Sequence, residues 1–335
     1  METILEAKNL TKKFPVQMGI FGARGGSYIH AVDNVNFTIT KGETFGIVGE
    51  SGCGKTTVAK LILRLLNPTE GTIWYYGKDI FQRRYPVAKM RRRIQLIFQD
   101  PYSSLNPRMT VYDIIGEPLD IHKLAKGSEK KERILQLMKT VGLANFHLYR
   151  YPHEFSGGQR QRVVIARALA VQPEVLIMDE PVSALDVSVR AQVLNLLEEL
   201  QKRFDLTYIF ISHDLSVVRH VCDRVGVMYL GQIVELGEVG TLFDNPQHPY
   251  AEALIAAVPI PDPRTKKTRE ILSGEVPTPI DPPLCCRFAM RCKYAQEICH
   301  QEEPPLLEIK PDHQVACFFP KELQGTGKVP FGKTS

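Results

Sequence analysis

A glycine-rich segment holds the residues whose types and spacing have the clearest chemical meaning. Residues Gly49–Thr57 read GESGCGKTT, which matches the P-loop pattern Gly-x4-Gly-Lys-Thr in full. The glycines allow the backbone to curl, so that successive N–H groups point at the oxygens of a phosphate. Lys55 is expected to reach the β- and γ-phosphates, and the Thr56 hydroxyl is expected to ligate Mg²⁺. The predicted ligands in this loop are Gly49, Ser51, Gly52, Cys53, Gly54, Lys55, Thr56 and Thr57.

Two acidic residues form a second candidate site. The segment Val175–Glu180 consists of four apolar residues followed by Asp179 and Glu180. A strand that emerges from a core can present Asp179 to the coordination shell of Mg²⁺. Glu180 would then face the γ-phosphate, where a carboxylate can orient or deprotonate the attacking water. The alternative is a strand that ends in two solvated acids, and the P-loop earlier in the chain favours the catalytic interpretation.

A second glycine-rich segment, Phe155–Gln161, reads FSGGQRQ. The P-loop alone could cradle one nucleotide. The presence of both segments predicts a nucleotide gripped between two copies of the fold, which would work by closing and opening a dimer.

The apolar pattern places these segments on an α/β framework. Thr44–Val48 predicts a buried strand that enters the P-loop, and Lys55–Leu66 has helical periodicity with no breaker before Pro68. The further predicted strands are Ile4–Leu10, Ala31–Ile39, Ile94–Phe98, Val175–Met178, Tyr208–Ile211, Arg224–Tyr229 and Ile233–Glu235. The clearest predicted helices are Glu129–Val141, Gly158–Ala170 and Val187–Arg203. This order predicts an α/β core with a helical insertion.

Length and composition limit the class of protein. The chain has 335 residues and a net charge of +5, which are ordinary values for a globular protein and do not demand a nucleic-acid partner. We interpret the basic stretch Lys89–Arg93 as a solvated helix face. No apolar run approaches the ~18–20 residues needed to cross a bilayer. The first residues lack the features of a secretory leader, so a cytoplasmic chain is expected.

The ordered set of motifs resembles the nucleotide-binding subunit of an ABC transporter over residues 3–258. The motifs are Gly49–Thr57, Gln99, Phe155–Gln161, Asp179-Glu180, Ser183–Asp186 and His213. The resemblance implies an α/β P-loop NTPase fold of the ABC type, with an N-terminal antiparallel β subdomain and a helical insertion at residues 100–171. It implies an ATPase domain at residues 1–258, and ATP and Mg²⁺ as cofactors.

The resemblance also implies a role for each matched residue. Gln99 corresponds to the Q-loop glutamine, which touches Mg²⁺ and the attacking water and senses the membrane partner. The signature residues Ser156, Gly157, Gly158 and Gln159 open a helix whose N-terminus would face the γ-phosphate of ATP held by the other subunit. The family usually has Leu before this serine, whereas this chain has Phe155, which we interpret as apolar packing.

Three further positions follow from the same resemblance. Asp186 corresponds to the D-loop acid that crosses the dimer interface, and His213 corresponds to the switch histidine that contacts the γ-phosphate. An aromatic ring from the N-terminal strands normally stacks on adenine. Phe14 fits this position best, and Tyr28 is the alternative.

Five of the seven cysteines lie in the C-terminal extension, residues 259–335. Clustered cysteines in a cytoplasmic chain favour a metal or cluster site over disulfides. Cys286, Cys292, Cys299 and Cys317 lack the tight C-x2–4-C pair typical of structural zinc, whereas wider spacing is compatible with an iron–sulfur cluster. Zinc and free thiols remain alternatives, and His300 and His313 are competing ligand candidates.

The extension narrows the resemblance to one family. The run from Cys286 to Ala295 and the segment Gln247–Tyr250 resemble the ATPases of oligopeptide and dipeptide importers, in particular their F-type subunit. This family carries a [4Fe-4S] cluster in the extension, and Cys285 stands where it more often has Gly, so Cys285 is expected not to be a ligand. The last residues, Gln324–Ser335, are predicted to be disordered.

The family resemblance implies particular partners and a location. They are a second ABC ATPase subunit in a heterodimer, two transmembrane permease subunits and, indirectly, an extracytoplasmic solute-binding protein. The chain would lie at the cytoplasmic face of the membrane as a peripheral subunit that energises peptide import. The rival hypothesis is a soluble ABC ATPase that acts on ribosomes or DNA. Such proteins usually hold two cassettes or a long coiled coil, and this chain has neither.

Overall fold

The computed structural model describes residues 2–16, 26–100, 104–258 and 277–321 of the chain. The backbone forms two compact units. The first unit comprises Met1–Glu2, Thr40–Thr44 and Gln82–Ile211, and the second comprises Thr3–Ile39, Phe45–Phe81 and Ser212–Ser335. The predicted boundary at residue 259, the predicted disordered tail, and residues 101–103 of the predicted insertion lie outside the described residues.

The secondary structure alternates between strands and helices along most of the chain. The strands are β1 (Thr3–Pro15), β2 (Tyr28–Thr40), β3 (Thr44–Val48), β4 (Glu70–Tyr75), β5 (Lys78–Asp79), β6 (Ile94–Ile97), β7 (Val175–Asp179), β8 (Thr207–Ser212), β9 (Arg224–Tyr229), β10 (Gln232–Glu238), β11 (Leu307–Lys310) and β12 (His313–Val315). The helices are α1 (Lys55–Ile62), α2 (Val87–Arg93), α3 (Val111–Ile121), α4 (Gly127–Thr140), α5 (Gly157–Leu169), α6 (Val187–Phe204), α7 (Leu215–Val221), α8 (Val239–Asp244) and α9 (Pro249–Ala256).

The predicted strands and helices are confirmed in type, and their ends differ. Helix α1 ends at Ile62 and not at the predicted Leu66, because Arg64 adopts a left-handed backbone with φ of 52° that closes the helix. The sequence patterns did not predict β4 and β5, or β11 and β12 in the extension.

In the first unit, β8, β7 and β6 form a parallel arrangement with β7 in the middle. All five residues of β7 are buried, as expected for a parallel strand that is covered on both faces. Apolar residues fill the strand until its end, where Asp179 is followed by Glu180 at the start of the next loop. The strand therefore presents both acids at its carboxyl end, which is where parallel sheets place functional groups.

The helical insertion of the first unit contains α3, α4 and α5. Helix α3 begins at a reciprocal cap between Thr110 and Asp113, in which each side chain accepts the backbone N–H of the other residue. Helix α5 begins at Ser156 and carries the second glycine-rich segment at its N-terminus. Among the helices in the described part of the chain, none is long and apolar enough to span a membrane.

The second unit contains two sheets. One has the strand order β2–β1–β4–β5, with β1–β4 and β4–β5 antiparallel, as the predicted N-terminal subdomain requires. In the other, β3 runs parallel to β9, and β9, β10, β12 and β11 continue antiparallel. Because Val315 of β12 pairs with Glu235 of β10, the C-terminal extension adds strands to the sheet whose strand β3 leads into the P-loop.

Candidate functional site

The P-loop connects β3 to α1 in the second unit, as predicted. Two of its glycines are required by close packing as well as by backbone geometry. A Cβ at Gly49 would lie 2.1 Å from the carbonyl oxygen of Met228, and one at Gly54 would lie 2.0 Å from that of Ala31. Gly49 and Gly54 have φ angles of 151° and 108°, which side-chain-bearing residues rarely adopt. The loop can therefore take this shape only with glycine at both positions.

Lys55 opens α1 and lies inside the loop. It is 6 % exposed, and its Nζ donates hydrogen bonds to the carbonyl oxygens of Gly49 at 2.8 Å and Glu50 at 2.9 Å. The Cys53 thiol lies 3.7 Å from the same Nζ. Burial raises the pKa of this thiol, although Lys55 acts in the opposite direction. Cys53 is therefore a buried neutral thiol, so only its backbone can take part in phosphate binding.

The other predicted loop ligands are accessible. Ser51, Gly52 and Thr56 are exposed and Thr57 is half-buried. The backbone N–H groups at the start of α1 have no intrahelical acceptors, and the helix dipole adds partial positive charge at this end. These features favour binding of an anion such as the phosphate tail of a nucleotide.

The two predicted acids lie at the end of β7 in the first unit. Asp179 is buried, and Glu180 adopts a left-handed backbone with φ of 50°. The Glu180 N–H donates to the carbonyl oxygen of Ile211 at 2.9 Å, which fixes this turn against β8. The structure brings the predicted Gln99 to the same place, because its Nε2 donates to Glu180 Oε2 at 2.8 Å.

The signature segment forms the N-terminus of α5 in the first unit. Ser156 and Gln159 cap the helix reciprocally, with the Gln159 N–H 3.4 Å from Ser156 Oγ and the Ser156 N–H 3.1 Å from Gln159 Oε1. A Cβ at Gly158 would lie 2.3 Å from Cγ1 of Val189, and one at Gly157 would lie 3.3 Å from a Leu185 methyl carbon. The glycines therefore let this helix end approach the residues around the start of α6.

Phe155 is buried, and its ring lies 5.1 Å from that of His147. This position agrees with apolar packing at the residue where the family usually has Leu. Asp186 is exposed at the N-terminal cap position of α6. A carboxylate at a helix N-terminus is favoured by the helix dipole.

The remaining predicted nucleotide residues lie in the second unit. His213 is exposed in the turn that precedes α7, whose cap is Asp214. Phe14 is half-buried near the end of β1, with Lys12 Nζ 5.2 Å from its ring centre. The Tyr28 side chain is exposed at the start of β2, and its backbone carbonyl accepts the N–H of Asp281 from the extension. No contact of the structure selects between Phe14 and Tyr28 within the described residues.

Glu50 occupies a variable position of the P-loop pattern, so the motif gave no reason to single it out. Its carboxylate accepts two hydrogen bonds from Arg291, at 2.8 and 3.1 Å, and its backbone N–H donates to the Tyr250 phenol oxygen at 2.9 Å. No sequence signal connects residues this far apart. A charged residue inside an otherwise small and polar loop is the one hint that the sequence offers.

Four cysteines of the extension lie near one another in the second unit. They are Cys286, Cys292, Cys299 and Cys317, and the backbone N–H of Cys286 donates to the carbonyl oxygen of Cys299 at 3.0 Å. The pKa values of Cys286 and Cys317 are raised to about 12, mainly by burial and to a smaller extent by the neighbouring thiols. Four thiols that influence one another electrostatically form a sulfur-rich donor set.

Backbone N–H groups are directed at three of these sulfurs. Phe288 donates to Cys286, Tyr294 to Cys292 and Phe319 to Cys317, the last at 3.4 Å. Hydrogen bonds of this kind stabilise thiolates and tune the sulfurs of iron–sulfur clusters. The donor set therefore fits the chemistry of thiolate ligands.

Within the described ranges, no three His, Cys, Asp or Glu side chains form a group able to hold a metal ion. A structural zinc needs four ligands that converge at Zn–S distances of about 2.3 Å. Of the two histidines considered as ligands, His313 forms a hydrogen bond with Glu235, with its Nε2 2.8 Å from Oε1.

Two protein-family profiles match the chain. The family profile described as ABC transporter matches residues 32–183. The profile for the C-terminal region of oligopeptide/dipeptide transporters matches residues 234–299, which include Cys286, Cys292 and Cys299.

Curated relatives match nearly the whole chain. The oligopeptide transport ATP-binding protein AppF of Bacillus subtilis is 52% identical over 320 residues, which cover 94% of this chain and 97% of AppF. The dipeptide transport ATP-binding protein DppF of Escherichia coli is 47% identical and covers 95% of this chain and 94% of its own length. The di/tripeptide transport ATP-binding protein DppF of Pseudomonas aeruginosa is 46% identical, and the match covers 97% of this chain and 100% of that protein.

Solved structures agree with the fold. The ATP-binding cassette MJ0796, in a dimeric post-hydrolysis state bound to ADP and phosphate, aligns with a TM-score of 0.61 and 31% identity over 70% of this chain and 99% of MJ0796. CbiO1 of Clostridium perfringens, part of an ABC transporter complex, aligns with a TM-score of 0.62 and 30% identity. The alignment covers 73% of this chain and 92% of CbiO1. The predicted fold class is confirmed. The chain belongs to the ATP-hydrolysing subunits of ABC transporters, within the family of oligopeptide and dipeptide transport ATP-binding proteins.

Proposed function

We propose that this chain binds and hydrolyses ATP to energise the import of oligopeptides or dipeptides. The relatives' names support the substrate class, and the oligopeptide/dipeptide-type extension distinguishes the chain from a minimal cassette. The observation on which the catalytic part rests is the hydrogen bond between Gln99 and Glu180, because it pairs a water-orienting amide with a candidate base. No specific observation favours a ribosome- or DNA-directed function.

Each predicted residue has a chemical task in this proposal. The amides of the P-loop and Lys55 bind the phosphate tail, and Thr56, Asp179 and Gln99 supply oxygen ligands to Mg²⁺ or its water shell. Water attacks the γ-phosphorus, its proton passes to Glu180, and ADP and phosphate are released. His213 contacts the γ-phosphate, and an aromatic ring, Phe14 or Tyr28, stacks on adenine.

We propose further that two ATPase subunits close on two nucleotides. In each site the P-loop of one subunit would face Ser156–Gln159 of the other, with Asp186 at the seam. The N-terminus of α5 supports this, since Ser156 is exposed there and a helix N-terminus favours an anion. The partner is a related ATPase subunit in a heterodimer, as in the family that the chain resembles.

The proposed assembly places the chain as a peripheral subunit at the cytoplasmic face of the membrane. It would bind two permease subunits through the insertion and the Gln99 region, and it would serve an extracytoplasmic binding protein only indirectly. Residues 1–258 form the ATPase part, and residues 259–335 form the extension.

The direct test of the transport role is purification of the tagged chain from its native membrane. Two permease subunits and a second ATPase should copurify, and peptide with its binding protein should raise the ATPase rate of the reconstituted complex. A chain that is recovered only with ribosomes, RNA or DNA would refute the transport role.

We infer that Cys286, Cys292, Cys299 and Cys317 hold a [4Fe-4S] cluster. The support is the sulfur-rich donor set and the N–H groups directed at three of the sulfurs. A bound cluster would cross-link segments of the extension that have little other regular structure.

Anaerobic purification tests the cluster. The protein should be brown, with broad visible absorbance and matching iron and sulfide contents. Cys286→Ser should remove most of the iron, whereas Cys285→Ser, at the adjacent position, should retain it. A colourless protein with stoichiometric zinc would overturn the inference, as would equal loss of iron in both variants.

A further inference from the structure

Glu50 of the P-loop is held at two separate points by residues from the C-terminal part of the second unit. Arg291 donates from Nη1 to Oε2 at 2.8 Å and from Nη2 to Oε1 at 3.1 Å. The Tyr250 phenol oxygen accepts the backbone N–H of Glu50 at 2.9 Å. The side chain and the backbone of one loop residue are therefore fixed together.

One anchor, Tyr250, is part of an aromatic cluster, and the other, Arg291, packs against it. The rings of Tyr229 and Tyr250 lie 4.6 Å apart, and Phe288 packs against them at 5.3 and 5.5 Å. The Arg291 guanidinium carbon lies 5.8 Å from the centre of the Tyr229 ring. Only 5% of the Arg291 side chain and 25% of the Glu50 side chain are exposed, so their bidentate pair is largely, though not fully, shielded from water. Charge-assisted pairs of this geometry are strong and directional.

Glu50 also supports the phosphate-binding lysine. Its carbonyl oxygen accepts Nζ of Lys55 at 2.9 Å and the backbone N–H of Cys53 at 3.3 Å. A displacement of Glu50 would move the peptide group that positions this amine, together with the following turn of the loop. The contacts of Arg291 and Tyr250 therefore reach the phosphate-binding groups through a single intermediate residue.

Arg287, which lies four residues before Arg291, provides a comparison. It is also buried, and it donates to the Asp33 carboxylate in β2 and to the carbonyl oxygen of Leu230 after β9. Neither acceptor belongs to the P-loop. Arg287 thus anchors the extension on the sheets, whereas Arg291 anchors the P-loop. A buried ion pair adds little net stability relative to apolar packing. The contact of Arg291 is therefore expected to fix the position of Glu50 in the P-loop more than to raise the stability of the fold.

We propose that Arg291 is a positioning residue for nucleotide binding, which acts through Glu50 to hold the P-loop in its phosphate-binding shape. The extension is then a structural support of the nucleotide site. Because Cys292 follows Arg291 directly, loosening of the cysteine cluster would release this support. The proposal rests on nucleotide binding by the P-loop, and its link to the cysteines rests on the proposed cluster.

The test measures MgADP binding to the full-length chain, purified anaerobically, by isothermal titration calorimetry. MgADP contacts the loop through its β-phosphate and avoids turnover. Arg291→Ala should weaken binding about tenfold, the size expected for loss of a charge-assisted hydrogen bond. Arg291→Lys keeps the charge but loses the fork, so its affinity should lie between those of the wild type and Arg291→Ala.

A double-mutant cycle with Glu50→Gln separates positioning from general damage. If Arg291 acts through Glu50, the Arg291→Ala change should have almost no further effect in the Glu50→Gln background. Tyr250→Phe removes only the phenol oxygen and should weaken MgADP binding severalfold while leaving the aromatic packing. This variant keeps the proposal testable if Arg291→Ala fails to fold.

Arg287→Ala is the matched control, with thermal stability and iron content measured for every variant. It should destabilise the extension but leave MgADP affinity within about twofold of the wild type. Equal loss of affinity in the Arg287 and Arg291 variants, additive effects in the cycle, or unchanged affinity in Arg291→Ala would each overturn the proposal. A wild-type chain that does not bind MgADP would refute the proposed function itself.

Discussion

Gln99 Nε2 donates a 2.8 Å hydrogen bond to Oε2 of Glu180, and this contact joins the loop after β6 to the end of β7. The two residues are far apart in sequence and meet because β6 and β7 are neighbouring parallel strands. An amide that donates to one carboxylate oxygen fixes the orientation of the carboxylate that is proposed to accept a proton from water.

Replacement of Gln99 by Ala should lower kcat about tenfold while leaving the affinity for MgATP nearly unchanged. The reason is that the amide orients the carboxylate but does not hold the phosphate tail. Steady-state ATPase kinetics with a separate measurement of nucleotide affinity give the two values. A loss of affinity without a loss of kcat would contradict the role assigned to Gln99.

Replacement of Lys55 by Ala should abolish measurable binding of MgATP at concentrations that saturate the wild type. The buried ammonium group is the charged donor that the P-loop supplies to the phosphates. Lys60→Ala is the matched control, because Lys60 is exposed on the last turn of the same helix. Equal affinities of the two variants would count against the P-loop assignment.

Replacement of Gly158 by Ala should lower both stability and ATPase rate. The added Cβ would lie 2.3 Å from Cγ1 of Val189, and such overpacking costs about 1–3 kcal/mol. A second change, Val189→Ala, should restore much of the loss by removing the clashing methyl group. Thermal melts and ATPase assays of the single and double variants measure this.

Gly240→Ala serves as the control for the change at Gly158. Gly240 lies in α8, where an added Cβ meets nothing within 4 Å, so alanine there should be neutral or slightly stabilising. If Gly158→Ala behaves like Gly240→Ala, the close approach of α5 to Val189 does not affect stability or ATPase activity.

The buried His248 predicts how the stability of the second unit depends on pH. It is fully buried, its Nδ1 accepts the Tyr250 N–H at 3.1 Å, and burial lowers its pKa to about 3 from the usual 6.5. Between these values the unfolded chain binds more protons than the folded chain. The free energy of unfolding should therefore fall as the pH drops below about 6.5.

His248→Asn removes the titrating group and retains a side-chain acceptor at the helix cap. Its unfolding free energy should decline less steeply with falling pH than that of the wild type. The difference in slope corresponds to the uptake of up to about one proton on unfolding. Denaturant titrations at about pH 5 and about pH 7 compare the slopes. Identical slopes would show that burial does not perturb His248.

Much of the fold and of the nucleotide motifs could be predicted from local sequence. The P-loop, the acids at the end of β7 and the capped start of α5 each combine a short spacing rule with a strand or helix that the apolar pattern reveals. The early end of α1 could not be predicted, because only the backbone angle of Arg64 shows where the helix closes. The short strands β5 and β12 are defined by their pairing partners and have little pattern of their own.

The support of the P-loop by the extension could not be predicted either. Arg291 and Glu50 are 241 residues apart, and no motif relates an arginine beside a cysteine to a variable loop position. The same holds for Tyr250, whose phenol oxygen reaches the Glu50 N–H only because α9 packs in the same unit.

The most direct test of the account is whether ATP holds two subunits together. Glu180→Gln should retain nucleotide binding but block hydrolysis, so saturating MgATP should convert the chain, alone or mixed with its related ATPase subunit, to a dimer in analytical ultracentrifugation. Lys55→Ala in the same background should remain monomeric. A Glu180→Gln chain that stays monomeric under saturating MgATP, both alone and with its partner subunit, would contradict the central claim.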